Sequence, residues 1–130
     1  MIDKKGLLIG GTFVTYKQGD IIFSYDDETS ENGVFFIEKG KIELSFLKQN
    51  KEEFKIYLKD NSLFGLPEVY AEIARITKAK CLTDCVLYKW TKSGFLLAVS
   101  MSWELSLLSI NSLSKMLKTL NYEFLKDTKN

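Results

Sequence analysis

The feature that most limits the fold is a succession of short alternating segments separated by turns. In Lys41-Ile42-Glu43-Leu44-Ser45-Phe46-Leu47 the apolar Ile42, Leu44 and Phe46 alternate with Lys41, Glu43 and Ser45, the period of a strand with one buried face. Val34-Phe35-Phe36-Ile37-Glu38 precedes it across Lys39-Gly40, so the two arms predict a hairpin in which Gly40 takes the positive φ of a tight reversal. Thr12–Lys17, Ile21–Tyr25, Phe54–Leu58, Ala74–Cys81 and Cys85–Trp90 read as strands from their β-branched and aromatic content. Gln18-Gly19-Asp20 is a turn, and the acidic run Asp26–Glu31 followed by Asn32-Gly33 is a solvated loop. About seven or eight antiparallel segments with turns between them predict a β-sandwich, roll or barrel.

At 130 residues the chain is long enough for one core and too short for two. Lys and Arg total 18 against 17 Asp and Glu, a balance that does not by itself recruit nucleic acid or an anionic membrane. There is no histidine, which removes Ser-His and Cys-His catalysis and histidine-ligated metal sites. The two cysteines, Cys81 and Cys85, read as reduced intracellular thiols. The N-terminal apolar run is too short for a signal peptide and no run approaches a membrane span, so the expected compartment is the cytoplasm.

The period changes at Thr91. Thr91–Val99 predicts a short helix, and a long one begins after Ser100 or Ser102, either able to cap it. Along the long helix Trp103, Ile110, Leu117 and Phe124 recur every seventh residue, with Leu113 and Leu120 between them. A second stripe, Leu105, Leu108 and Met116, lies to one side. Two stripes suit two tasks: one packs on the β domain and the other forms a homodimer seam. The expected organisation is a β domain over residues 1–100 and a helical segment over 101–130.

Between the strand segments, Asn61–Cys85 carries the one proline, Pro67, and the one arginine, Arg75. A strand ending in Phe64-Gly65, a connector and an arginine suit a small anion, because backbone N–H groups at a glycine turn and a guanidinium fork both donate. A plain turn followed by a solvated arginine fits the same residues.

Taken together, Tyr16-Lys17-Gln18-Gly19-Asp20-Ile21-Ile22-Phe23, Val34-Phe35-Phe36-Ile37-Glu38-Lys39-Gly40-Lys41-Ile42-Glu43-Leu44, Leu63-Phe64-Gly65 before a connector and Arg75, and the seam helix resemble the cyclic-nucleotide-binding domain. More narrowly they resemble the sensor half of the catabolite-activator and fumarate-nitrate-reductase (Crp/Fnr) transcription regulators, over about residues 14–125. The resemblance implies a mainly β fold, an antiparallel double-stranded β-helix or jelly roll, followed by a short helix and a long dimerisation helix. It implies no catalysis, and DNA contact only through a helix-turn-helix domain that would follow where this sequence stops. In the family the connector is a phosphate-binding cassette. The matching effector-binding positions are Phe64, Gly65, Leu66, Arg75, Ile76 and Thr77, with Arg75 as the phosphate partner.

Two positions depart from the family pattern: Leu66 stands for the ribose-binding glutamate and Ile76 for a serine or threonine. Thr77 comes one residue late and in a strand would face away from the position of Ile76. Two lost hydrogen bonds to charged groups, each worth about 1.5–3 kcal/mol, reduce affinity by about two to four orders of magnitude, so ordinary binding of cyclic AMP is not expected. No cofactor is implied. If no anion binds Arg75, an acidic neighbour such as Glu68 or Glu72 must neutralise it, because an unpaired buried guanidinium costs too much. The other readings are a stand-alone interaction module, a haem-based gas sensor using Cys81 or Cys85 as axial ligand, and a cupin-like enzyme, which the lack of histidine disfavours.

Overall fold

The computed structural model describes residues 8–128, with side chains described as far as residue 123. Eight strands come first: β1 (Thr12–Tyr16), β2 (Ile21–Phe23), β3 (Val34–Lys39), β4 (Ile42–Leu47), β5 (Glu53–Leu58), β6 (Leu63–Phe64), β7 (Thr77–Cys81) and β8 (Cys85–Trp90). A helix, α1 (Leu66–Ala71), interrupts them after β6, and α2 (Lys92–Met101) and α3 (Trp103–Thr128) follow. The strands form two four-stranded sheets, ordered β1-β8-β3-β6 and β2-β7-β4-β5, in which every pairing is antiparallel. This is the jelly-roll architecture with C-terminal helices that the sequence implies.

The inner faces of the two sheets enclose one core, with Phe23, Phe35, Ile37, Leu44, Phe64 and Leu87 buried there. A second core, which the chain length had argued against, lies between the first sheet and the helices, where Val34, Phe36, Trp90, Leu66, Phe95 and Leu105 meet; it forms because β3 and β8 bury both of their faces. Strand β3 therefore buries both faces: Phe35 and Ile37 point into the roll, Val34 and Phe36 toward the helices. Its unbroken apolar run is the mark of a strand covered on both sides. Strand β4 alternates instead, with Ile42, Leu44 and Phe46 facing the roll and Glu43 and Ser45 on its other face.

The two arms expected to pair as a hairpin do not: β3 pairs with β6 and β8 in one sheet and β4 with β5 and β7 in the other, so the turn at Gly40 carries the chain from sheet to sheet. Gly40 has φ 124° there, and a Cβ would lie 2.9 Å from the carbonyl oxygen of Asp84, so this crossing requires glycine. Thr91 caps α2 by accepting a hydrogen bond from the Gly94 amide at 3.0 Å. Of the two candidate caps for α3 it is Ser102 that serves, its hydroxyl accepting from the Leu105 amide at 3.1 Å. The chain bends by 116° between α2 and α3. Among the described residues no single helix is long and apolar enough to cross a membrane.

Apart from shifts of one or two residues at other element ends, three boundaries differ from the sequence expectation in ways that shape the site. The connector is helical: Gly65 at φ 92° opens α1, Pro67 sits in its first turn, and Glu72 at φ 58° closes it, the arrangement proline favours at a helix start. Strand β7 begins at Thr77, not Ala74, because Arg75 exchanges backbone hydrogen bonds with the 26–27 loop instead of the sheet. The second strand stops at Phe23, two residues early, where its register with β7 shifts.

Candidate functional site

The connector delivers two opposite charges to one buried point. Helix α1 turns Glu68 inward beside Leu66 and Val69, and Arg75 approaches from the segment before β7. Both side chains are fully buried, and Arg75 Nη1 lies 3.0 Å from Glu68 Oε1. Nη1 also donates to the Gly65 carbonyl at 3.0 Å, and Nη2 donates to the carbonyls of Asn32 and Gly33, both at 2.5 Å. The guanidinium carbon sits 3.9 Å above the Phe23 ring, a cation–π contact. Glycine is needed at 65 for this convergence, since a Cβ would lie 2.5 Å from the Gly33 oxygen and 3.2 Å from Arg75 Nη1.

The other carboxylate oxygen of Glu68 is also used. Oε2 accepts from the Ile76 amide at 3.2 Å and from the Thr77 hydroxyl at 2.7 Å. One carboxylate thus gathers a guanidinium, a backbone amide and a hydroxyl, a donor set suited to any oxyanion. Burial lowers the Arg75 pKa from its ordinary value, and the neighbouring Glu68 and Asp27 charges oppose that shift. The expected acidic partner of Arg75 is therefore Glu68, while Glu72 pairs with Lys92 near the surface at 3.5 Å.

The remaining sequence candidates fall in different places. Phe64 is stacked on Phe35, ring centroids 5.0 Å apart, in the roll interior. Leu66 is buried in the helix-side core. Ile76 points outward and is 52% exposed. Thr77 does face away from Ile76, but that face is the one holding Glu68, so its hydroxyl joins the site. Sequence reading missed the carbonyls of Asn32 and Gly33, which no side-chain pattern could announce, and Phe23 beneath the guanidinium.

On α3 the placement corrects part of the seam. Leu113 packs on the helix-side core and Leu120 on the roll core, so both serve the chain's own fold. Trp103, Ile110 and Leu117 are 75%, 60% and 60% exposed. Leu107, four residues after Trp103, is exposed with them, and that spacing was visible in the sequence. The side chain of Phe124 lies outside the described residues.

A groove of about 580 Å³ runs between α3 and the β5–β6 region. None of Phe64, Gly65, Leu66 or Arg75 lines it. They are enclosed by the roll, α1 and the 32–33 loop. Cys81 and Cys85 are buried free thiols, and burial with the neighbouring Cys85 thiol pushes Cys81 up to about 12.

A model of the cyclic nucleotide-binding domain matches residues 13–100. No curated protein sequence matches the chain. Among solved structures, the catabolite activator protein of Thermus thermophilus is similar with a TM-score of 0.69 at 20% identity, over 94% of this chain and 55% of that one. A transcriptional regulator from Thermotoga maritima gives 0.74 at 17% identity, over 99% of this chain and 100% of that one. An EAL enzyme in its cAMP-bound form gives 0.61 at 27% identity, over 89% of this chain and 30% of that one. The chain thus spans about half of the first structure and under a third of the last. The domain model accounts for both sheets and for the Gly65-to-Arg75 connector, and the chain belongs to the cyclic nucleotide-binding domain family.

Proposed function

We propose that the chain is the effector-sensing and dimerisation domain of a Crp/Fnr-type transcription regulator, that it is not an enzyme, and that it does not bind cyclic AMP in the ordinary way. Residues 1–100 form the sensor and 101–130 the dimerisation helix. It works in the cytoplasm and reaches DNA only through a domain outside this chain. The observation that carries the negative part is the Glu68 carboxylate, which already takes the Arg75 guanidinium, the Ile76 amide and the Thr77 hydroxyl. A cyclic phosphate would have to displace a buried carboxylate from its cation, and separating such a pair costs several kcal/mol. Effector occupancy instead acts beside α3, shifting how two such helices pack and so turning the attached domain.

Thermal unfolding with cyclic mononucleotides, cyclic dinucleotides and simple anions tests this, since a ligand that binds only the folded state raises the midpoint. No shift with cyclic AMP or cyclic GMP at millimolar concentration is expected. A shift of several degrees that disappears in Arg75→Lys would overturn the reading. One further reading has an observation of its own. Phe23, Phe35 and Phe64 fill the roll interior with ring centroids 5.0–6.0 Å apart, which suits a stand-alone interaction module with no ligand in the roll.

A further inference from the structure

We propose that the groove between β5 and α3 binds a small apolar carboxylate, an aliphatic or aromatic body bearing one anionic head. Its floor is apolar: Ile56 and Leu58 from the inward face of β5, Leu63 from β6, and Leu108 and Met116 from α3. Its rim is cationic: Lys115 and Lys118 stand one turn apart on α3 and both line it, and no acidic side chain does. Lys55, Lys78 and Lys92, by contrast, pair with Glu43, Glu53 and Glu72. Among the described residues Lys115 and Lys118 have no such partner. An apolar floor with a few placed polar groups, in a volume of about 300–1,000 Å³, is the usual make-up of a small-molecule site. The 580 Å³ groove falls within that range.

Charge decides the class of ligand. The arginine of the connector is spent on Glu68, and the cations that the groove itself presents to an anion are its two lysines. Their aliphatic stems extend the apolar floor while the ammonium heads reach the rim, which matches a ligand with one charged end. Met116 has a flexible thioether that repacks around differently shaped bodies. The regulatory meaning of such binding rests on the sensor reading above; the binding itself does not.

The test uses decanoate as probe and decanol as its uncharged counterpart, read by NMR of methionine methyl groups in the 130-residue chain. Met116 lies in the groove, and Met101 lies exposed on α2 away from it, so the two methyl signals separate site binding from detergent-like adsorption. A saturable shift at Met116 with Met101 unmoved is expected, with decanol and the K115Q/K118Q variant each at least tenfold weaker. Three results would each overturn the proposal: no shift at millimolar decanoate, equal shifts at both methionines, or unchanged affinity in K115Q/K118Q. Loss of the shift in L117E, a variant of the exposed seam, would also overturn it, assigning the groove to a second copy of the chain. None of these readouts depends on cyclic nucleotides, so the proposal and the sensor reading fail separately.

Discussion

At the scale of single residues the molecule turns on Arg75. A buried guanidinium demands a carboxylate, and a carboxylate was available seven positions earlier and three positions earlier, so the pairing with Glu68 or Glu72 was legible before any coordinates. The helix α1 makes the choice, because Glu68 lies on its inward face and Glu72 at its exposed end. The two carbonyl acceptors, 42 and 43 residues away in sequence, were not legible, since a backbone oxygen leaves no trace in residue type. The pair makes a thermodynamic prediction. Arg75→Met leaves Glu68 buried without its cation and is expected to lose about 3–5 kcal/mol, whereas the double variant with Glu68→Leu removes both charges and is expected to recover most of it. Urea unfolding of the two single variants and the double checks this. A double variant as unstable as the sum of the singles would mean that the ion pair does not hold the connector in place.

At the scale of elements, periodicity found segments but not their partners. The alternation of β4, the short α2 and the start of α3 were readable because each has a period or a cap residue of its own, whereas the hairpin expected of β3 and β4 does not form: the two strands lie in different sheets, and pairing across a short turn is a tertiary choice that alternation does not reveal. Helix α1 was not, since at six residues it is too short to display a period and its composition, Leu-Pro-Glu-Val-Tyr-Ala, suits a turn equally well. It exists because Leu66 and Val69 reach the second core and Gly65 supplies the left-handed entry, and both are tertiary facts. The early start assigned to β7 failed for a related reason: alternation runs through Arg75 and Ile76, but their backbone groups are claimed by the 26–27 loop and by Glu68. The bend between α2 and α3 depends on Ser102, whose hydroxyl caps α3 while its backbone ends α2. Ser102→Ala is expected to cost about 1 kcal/mol, lowering the melting temperature by about 3–5 °C in a domain of this size. Circular dichroism melts of the two proteins would measure it, and an unchanged midpoint would show that the bend is held by packing alone.

At the scale of the whole molecule the two faces of α3 divide its work. The inward face, with Leu105, Leu113, Met116 and Leu120, belongs to the two cores. The outward face follows a spacing of four and three: Trp103, Leu107, Ile110, Ser114, Leu117 and Asn121, all exposed. That is a heptad spacing in which four positions are apolar and two, Ser114 and Asn121, are polar. Burying the apolar side chains from two copies returns about 1.5–3 kcal/mol each when complete, the same order as an association cost of about 4–15 kcal/mol. The expected outcome is a concentration-dependent homodimer whose strength is limited by its polar seam positions. Sedimentation velocity across a micromolar series should therefore find Leu117→Glu monomeric with its fold intact, and Asn121→Leu more strongly dimeric than the parent, because a polar residue at a seam position lowers stability while fixing register. Leu120→Glu behaves differently, since it faces the roll: it is expected to destabilise the monomer rather than the dimer. If Leu117→Glu and the parent sediment alike as monomers at every concentration, the outward face of α3 is not a seam between copies of this chain.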